Sequence, residues 1–282
     1  MTTTELLEAV DHSPIAPPVG LPVGPGAARL VGSQTWRPTD AGGCMVVLEG
    51  DRTNHVLKLL KTPAAVARTH QRWGTDLTQE RAERIVERNR RGVVLVGLGR
   101  HLQHKTGTGF IDPGGTQNVP VRVRCADGST AMIGGVPFVL QERVPLLLGD
   151  ALFWEGVALG ARRRGGIGPR AEAWLNSTRY LADLGFADRS GNIDINGGFT
   201  DRRHFRHLDA GDITAHRGEL RQTFVDPPCV RHAALVLLRR ALEPFNPGYV
   251  DALTEEIHRT AAINLERLER GDLPDEPVLQ LA

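Results

Sequence analysis

The chain of 282 residues is poor in cysteine and has no long apolar run. Its three cysteines, Cys44, Cys125 and Cys229, lie far apart in the sequence. A sparse, odd set of cysteines does not make a disulfide framework and is typical of a reducing compartment. No apolar run reaches the length of about 20 residues that a membrane-spanning helix needs. The acidic N-terminus also lacks the basic and apolar regions of a signal peptide. The sequence therefore predicts a cytoplasmic protein without a membrane partner.

Excess charge and aromatic side chains are also scarce. The formal net charge is +1, and aromatic residues make up 5% of the chain. A nearly neutral chain gives no support for a polyanion-binding role, so no nucleic-acid partner is expected. Hydrophobic residues at 40% and charged residues at 24% are ordinary for a globular protein. The length suffices for one large domain or for a domain of two lobes.

Proline and glycine are concentrated near the N-terminus, in residues 13–26, so residues 1–26 are expected to form a flexible lead-in. Residues 27–144 are rich in strand patterns, and residues 145–271 are rich in helical spacing. The acidic tail, residues 272–282, is expected to be flexible. A β-rich half followed by a helical half predicts an α+β protein with two lobes.

The first half alternates strand and helix patterns. The predicted strands are Ala27–Gln34, Cys44–Glu49, His55–Leu60 and Val93–Gly99, and the predicted helices are Ala64–Trp73 and Asp76–Arg90, the second ended by Gly92. Because side chains alternate along a strand, Lys58 and Lys61 face opposite sides of the sheet. One of these lysines must therefore point inward or lie near a cleft. The following helix offers Glu80 as a partner, with Glu83 and Glu87 as rivals.

A second polar region lies at residues 192–212, where two short strands flank a polar turn. Asn192 opens the first predicted strand, and Asp209-Ala-Gly211 closes the second. Amide and carboxylate oxygens are hard donors of the kind that Mg²⁺ prefers.

These motifs, in this order, resemble the protein-kinase-like fold. His55-Val-Leu-Lys58 is similar to the Val-Ala-Ile-Lys element of protein kinases, and Val136–Val144 is similar to the strand that enters the kinase hinge. Asn192 resembles the catalytic-loop asparagine, and Asp209 resembles the aspartate of Asp-Phe-Gly. The resemblance covers roughly residues 27–220.

The resemblance implies an ATP-dependent phosphotransferase that uses Mg²⁺ and ATP in an interlobe cleft. Lys58 would then contact phosphates and Glu80 would orient Lys58, while Asn192 and Asp209 would bind Mg²⁺. Adenine would meet backbone groups of a hinge segment, which comprises Gln141, Glu142 and Arg143. The phosphoacceptor, a protein or a small molecule, and the oligomeric state are left open.

Two motifs depart from the family pattern. No His-Arg-Asp motif precedes Asn192, and Asp188 is the nearest acid, with three residues between them instead of four. Asp188 is the candidate base, and a turn residue is the competing interpretation. Between the first two predicted strands, Gly32 and Ser33 could meet phosphate through backbone N–H groups, but the Gly-x-Gly-x-x-Gly spacing is absent.

Two other functions remain open at this point. The departures favour a catalytically inactive pseudokinase that acts as a nucleotide sensor or an interaction scaffold. The polar cluster His204, His207, Asp209 and His216 would alternatively suit a metal-dependent hydrolase.

Overall fold

The computed structural model shows an α+β protein that has a mixed sheet and helices. It describes residues 1–13, 25–39, 42–98, 108–111, 120–134, 136, 138–144, 146–147, 151–189, 197–199, 205–231 and 233–277. The chain divides into a first compact unit, Met1–Arg143, and a second, Val144–Leu279. Among the helices in these ranges, none is long and apolar enough to cross a membrane.

The first unit contains four helices and seven strands among its described residues. The helices are α1 (Thr3–Ala9), α2 (Pro25–Gly32), α3 (Pro63–Arg72) and α4 (Gln79–Leu98). The strands are β1 (Thr35–Pro38), β2 (Met45–Gly50), β3 (His55–Leu60), β4 (Thr108–Ile111), β5 (Val121–Arg124), β6 (Thr130–Ile133) and β7 (Phe138–Glu142).

The described strands of the first unit form one sheet in the order β4-β7-β3-β2-β1-β5-β6. All neighbours pair antiparallel except β1 and β5, which are parallel. The predicted hairpin is confirmed, since Leu48 of β2 lies opposite Leu57 of β3. Leu57 and Leu59 are fully buried in the main core of this unit, together with Trp36.

Residues 1–26 do not form a wholly flexible lead-in, because helix α1 packs into the first unit. A capping box closes its start: Thr2 Oγ1 accepts from the Glu5 backbone N–H, and the Glu5 carboxylate accepts from the Thr2 backbone N–H. Leu6, Ala9 and Val10 are buried in the core. The proline-rich residues 13–26 indicated a flexible segment, so the short helix that precedes them was not predicted.

Two predicted strands are helical in the structure. Residues 25–32 form helix α2, where Ala27–Gln34 was expected to be a strand. Helix α4 does not end at Gly92 but runs on to Leu98, through most of the predicted strand Val93–Gly99. Val93 packs there against Met45, Leu60 and Val139. A short apolar run can be buried either as a strand or as part of a helix that packs on a sheet. Composition alone therefore did not distinguish a helix from a strand here.

The second unit contains five α-helices and five short strands among its described residues. The helices are α5 (Ala151–Arg164), α6 (Pro169–Asp183), α7 (Arg217–Val225), α8 (Ala233–Leu242) and α9 (Tyr249–Arg270), and the strands are β8 (Leu146–Leu147), β9 (Ala187–Asp188), β10 (Gly197–Phe199), β11 (Phe205–His207) and β12 (Ile213–Thr214). Gly271 ends α9 in the left-handed conformation with φ of 77°.

The core of the second unit lies among α5, α6, α8 and α9. Trp154 and Trp174 are buried there. Tyr249 is buried as well, and its hydroxyl donates to the Ile167 carbonyl at 2.8 Å. Phe199 and Phe205 lie against this core from the β10–β11 hairpin, with ring centroids 5.5 Å apart. This packing fixes the hairpin on the helices of its own unit.

Candidate functional site

In the second unit, the polar segment that follows Asp188 begins next to the turn of residues 209–212. Strand pairing fixes this position. Asp188 of β9 lies opposite Ile213 of β12. The next residue, Arg189, donates its backbone N–H to the Asp212 carbonyl at 2.8 Å. Its guanidinium also makes an ion pair of 2.7 Å with Glu219. The chain therefore leaves β9 next to the turn of residues 209–212.

A second pairing anchors the other end of this segment at the same turn. Gly197, the first residue of β10, lies opposite His207, the last residue of β11. Asp209 follows two residues later. Asn192, the candidate metal ligand, lies outside the described residues. The described residues on either side of its segment, Arg189 and Gly197, pair with Asp212 and His207.

Asp209 lies at the start of a turn and keeps one carboxylate oxygen available. Its Oδ1 accepts from the Gly211 backbone N–H at 2.9 Å, which stabilises the turn. Among the described residues, Oδ2 makes no hydrogen bond or ion pair. The side chain is half-buried. A preorganised carboxylate with a spare oxygen suits a hard cation such as Mg²⁺.

Asp188 is held by a buried histidine. His207 Nδ1 lies 2.9 Å from Asp188 Oδ2, and His207 Nε2 lies 3.2 Å from Ser177 Oγ. The histidine is 1% exposed. When His207 is neutral, the Ser177 hydroxyl donates to Nε2 and the Nδ1–H donates to Asp188. This chain of hydrogen bonds links helix α6, strand β11 and strand β9, and it orients the Asp188 carboxylate.

Ser177, His207 and Asp188 are hydrogen-bonded in the same order as the catalytic triad of a serine hydrolase, but a substrate could not reach the serine. Ser177 lies in the interior of helix α6 and is 3% exposed. It is not among the residues that line the cavity described below. A nucleophile must reach its substrate, so this serine orients His207 rather than attacking a bond.

The metal-dependent hydrolase of the sequence analysis does not fit the structure. Both ring nitrogens of His207 are hydrogen-bonded, to Ser177 and Asp188, so neither presents a free lone pair to a metal. His216 is exposed at the N-cap position of α7. His204 lies outside the described residues. Within the described ranges, no group of three or more His, Cys, Asp or Glu side chains could hold a metal ion.

Lys58 lies on β3 and is half-buried. It lies opposite Val47 of β2 and Val139 of β7, so the strand carries it in the interior of the sheet. Leu60, two residues further on, packs against Val93 of α4. Since side chains two apart share a face, Lys58 lies on the face of the sheet that α4 covers.

The described acidic residues of α4 do not lie on its buried face. The Glu80 side chain is 77% exposed and forms a surface ion pair of 3.5 Å with Arg84, which argues against a role in orienting Lys58. Glu83 and Glu87 are exposed as well. The buried face carries Asn89 instead, which is 1% exposed and whose Oδ1 has no hydrogen-bond partner among the described residues. The sequence did not single out Asn89, because the kinase resemblance pointed to carboxylates on this helix.

Gly32 and Ser33 are not placed to meet a phosphate. They lie at the end of helix α2, before β1, instead of in a loop between two strands. The Ser33 backbone N–H donates to the Arg29 carbonyl at 3.0 Å, and the Ser33 hydroxyl donates to the Leu30 carbonyl at 3.3 Å. The N–H group of Ser33 is therefore already used.

The predicted hinge segment ends strand β7 at the C-terminal end of the first unit. Gln141 is buried between Val56 of β3 and Thr108 of β4, so β7 is flanked on both sides. The Arg143 backbone N–H donates to the Asn54 carbonyl at 2.8 Å, and its side chain pairs with Glu49 at 3.3 Å. The Arg143 N–H is therefore not a free donor for adenine. Glu142 is half-buried and lies opposite His55.

Lys61 is the lysine that points inward. It is 6% exposed, and its Nζ donates to the Gly42 carbonyl at 2.8 Å and to Thr69 Oγ1 at 3.0 Å. Burial is the main cause that lowers the pKa of Lys61 to about 8, Cys44 opposes this shift, and Arg72 contributes to it. The strand alternation identified both lysines as candidates but could not show which one is enclosed.

A cavity of about 90 Å³ lies within the second unit. Its wall comes from helices α6, α7 and α9, from strands β9 to β11 and from the turn that contains Cys229. Asp188 is part of the wall. Burial raises the pKa of the Cys229 thiol to about 12, and the negative charge of Asp188 contributes to the increase.

The likeness of this chain to known proteins is distant. No protein-family model and no curated protein matches the chain. Among solved structures, a co-crystal structure of WbdD and the kinase inhibitor LY294002 is similar at a TM-score of 0.36 and 18% sequence identity. The similarity covers 78% of this chain and 44% of that chain, so this chain spans less than half of the WbdD structure.

Proposed function

We propose that the chain is an ATP-dependent phosphotransferase of the protein-kinase-like fold. The observation that best supports this proposal is the arrangement of strands around the turn of Asp209. Two separate strand pairings bring Asp188 and both ends of the Asn192 segment to one turn. Kinase-like chemistry needs a base and two metal ligands near one another, and it gains its rate mainly from positioning and charge neutralisation.

In this proposal, Asp209 and Asn192 hold Mg²⁺ when it is bound, and the ion neutralises charge on the ATP phosphates. The spare Oδ2 of Asp209 supports this assignment, since carboxylate and amide oxygens are the donors that Mg²⁺ accepts. Asp188 accepts the proton of the acceptor hydroxyl, and His207 holds its carboxylate in place. Lys58 contacts phosphate. The proposed site assigns no role to Glu80, Gly32, Ser33 or the Arg143 N–H.

A pseudokinase that binds nucleotide without turnover is the second candidate. The exposed Glu80 and the helical position of Gly32 favour it, because two devices that hold ATP phosphates in kinases are missing from their expected places. Asn89 on the buried face of α4 is neutral and cannot replace a glutamate as a charge partner of a lysine.

Thermal unfolding separates these functions when it is measured with ATP, with Mg²⁺, with both and with Zn²⁺. We expect the melting temperature to rise only with ATP and Mg²⁺ together, because a ligand that binds the native state raises its stability. Conversion of ATP to ADP would then identify an enzyme, and its absence would identify a pseudokinase. If no nucleotide condition changes the melting temperature, both candidates are wrong.

The role of Asp188 is tested by the variant Asp188→Asn. A general base contributes a factor of about 10² to 10⁴ to the rate. We therefore expect ATP turnover to fall by about that factor while the affinity for ATP with Mg²⁺ is retained. Asp272→Asn is the matched control, since Asp272 is an exposed aspartate of the same unit. Turnover that survives Asp188→Asn would remove Asp188 as the base.

A further inference from the structure

The cavity of the second unit has an apolar wall with a few polar groups that accept hydrogen bonds. Its aromatic lining comes from three buried side chains, Trp174, Phe205 and Phe224. Asp188 and Asn264 also lie on the wall. A concave apolar site with a few convergent polar groups is the usual form of a small-molecule site.

Two hydroxyl groups on this wall have already used their hydrogens. Thr178 Oγ1 donates to the Leu175 carbonyl at 2.7 Å, and Thr223 Oγ1 donates to the Glu219 carbonyl at 2.8 Å. Each of these two hydroxyls therefore offers a ligand only lone pairs. Both favour a ligand that donates hydrogen bonds.

Asn264 adds an acceptor that has no partner. The residue is 2% exposed, and its Oδ1 makes no hydrogen bond to any described residue. An unpaired buried acceptor costs about 1–3 kcal/mol, so such groups normally have a protein, water or ligand partner. Its position on the cavity wall makes a bound donor the natural partner.

The charge on the wall favours a cation. The Asp188 carboxylate lies there, and its negative charge helps to raise the pKa of the neighbouring Cys229 thiol after burial itself. The faces of aromatic rings also attract cations. Arg179 and Arg189 are not part of the wall, and the Arg179 guanidinium donates to the wall residue Thr260, at Oγ1, at 3.1 Å.

We propose that this cavity binds a small primary ammonium compound. The ammonium group donates hydrogen bonds to Asp188 and Asn264, and the alkyl part packs among Trp174, Phe205 and Phe224. A cavity of about 150 Å³ holds the six carbons of benzene, so one of about 90 Å³ holds about four non-hydrogen atoms. A ligand of five non-hydrogen atoms, such as n-butylammonium, would fill the cavity and place only the end of its chain outside.

This site goes beyond phosphoryl transfer, although it shares Asp188 with the proposed function. Binding of the amine is measured without ATP or Mg²⁺, so its failure leaves the nucleotide experiments unaffected. Failure of nucleotide binding would in turn leave the amine site intact.

Calorimetric titration with three probes of nearly equal size tests the proposal: n-butylammonium, n-butanol and butyrate. We expect saturable binding of butylammonium that is at least about tenfold tighter than that of butanol, since a charged hydrogen bond contributes about 1.5–3 kcal/mol. Butyrate should not bind, because its charge repels Asp188. Equal affinity for all three probes would overturn the proposal.

Two variants and a matched control locate the site. Asn264→Leu removes the unpaired acceptor at similar size and should weaken butylammonium binding at least about tenfold. Ala261→Leu fills the cavity from helix α9 and should abolish binding. Asn176→Leu, at an exposed position of helix α6, should leave binding unchanged. Unchanged binding in both Asn264→Leu and Ala261→Leu would contradict the assignment.

The wild-type protein provides a test that does not depend on the folding of any cavity variant. Trp174 lines the cavity, so its indole ¹⁵N–H resonance should shift as butylammonium saturates the site. Trp36, which is buried in the core of the first unit, serves as the internal reference and should not shift. Saturation without a shift at Trp174 would place the amine elsewhere and overturn the proposal.

Discussion

At the scale of single residues, the tertiary surroundings of a side chain determine its hydrogen bonds and its pKa. Alternation at β3 and the residue after it marked Lys58 and Lys61 equally, and the hydrogen bonds of Lys61 to the Gly42 carbonyl and to Thr69 of α3 show that its side chain is enclosed. His207 was considered as a metal ligand because its partners could not be seen from spacing. Ser177 and Asp188 lie 30 and 19 residues away in the sequence. Residue types were therefore predictable, but their hydrogen-bond partners depended on tertiary contacts.

Because of Lys61, we expect the stability of the protein to vary with pH in the alkaline range. Its folded pKa of about 8 is below the ordinary value of 10.5, so the unfolded chain binds more protons between these two values. The free energy of unfolding therefore rises with pH in that window, because the charged form that burial disfavours is lost. Relative to Lys61→Met, we expect the wild type to gain about 2–3 kcal/mol between pH 8 and 10.5. Urea unfolding of both proteins across this range measures the difference, and a difference that does not vary with pH would show that Lys61 is not enclosed.

Ser177→Ala tests the hydrogen-bond chain at Asp188. The substitution leaves His207 Nε2 buried without its partner, and we expect a loss of about 1–3 kcal/mol in the free energy of unfolding. Asn176→Ala, at the neighbouring exposed position of the same helix, should change it by less than about 0.5 kcal/mol. Equal effects of the two variants in urea unfolding would mean that the Ser177 contact contributes nothing.

At the scale of elements, the sequence predicted the regular patterns and missed the ambiguous ones. The β2–β3 hairpin and helix α3 were predicted within a few residues. Helix α2 and the end of α4 were mistaken for strands, since a short apolar run fits either structure when it is buried. Helix α1 was missed because the proline-rich stretch after it suggested a flexible start.

Adjacent leucines of helix α1 test whether it belongs to the core. Leu6 is fully buried, whereas Leu7 is 42% exposed. We expect Leu6→Ala to lower the free energy of unfolding by about 2–5 kcal/mol through lost burial and a cavity. Leu7→Ala should cost less than about 1 kcal/mol. If both variants unfold in urea like the wild type, α1 is not docked on the first unit.

At the scale of the whole molecule, the chain forms two compact units with separate cores. The proposed function assigns a phosphate contact to the first unit, through Lys58, and the metal ligands and base to the second. In the second unit, two strand pairings converge on either side of the turn of residues 209–212. Sequence order suggested this convergence, but the pairings that produce it depend on folding of the whole unit.

The most direct test of the phosphotransferase account is the magnesium dependence of ATP binding in Asp209→Asn. Calorimetry of the wild type and of the control Asp272→Asn should show ATP binding that requires Mg²⁺. In Asp209→Asn, addition of Mg²⁺ should no longer increase the affinity for ATP, since the charged metal ligand is gone. Magnesium-dependent ATP binding that is as tight in Asp209→Asn as in the wild type would contradict the account.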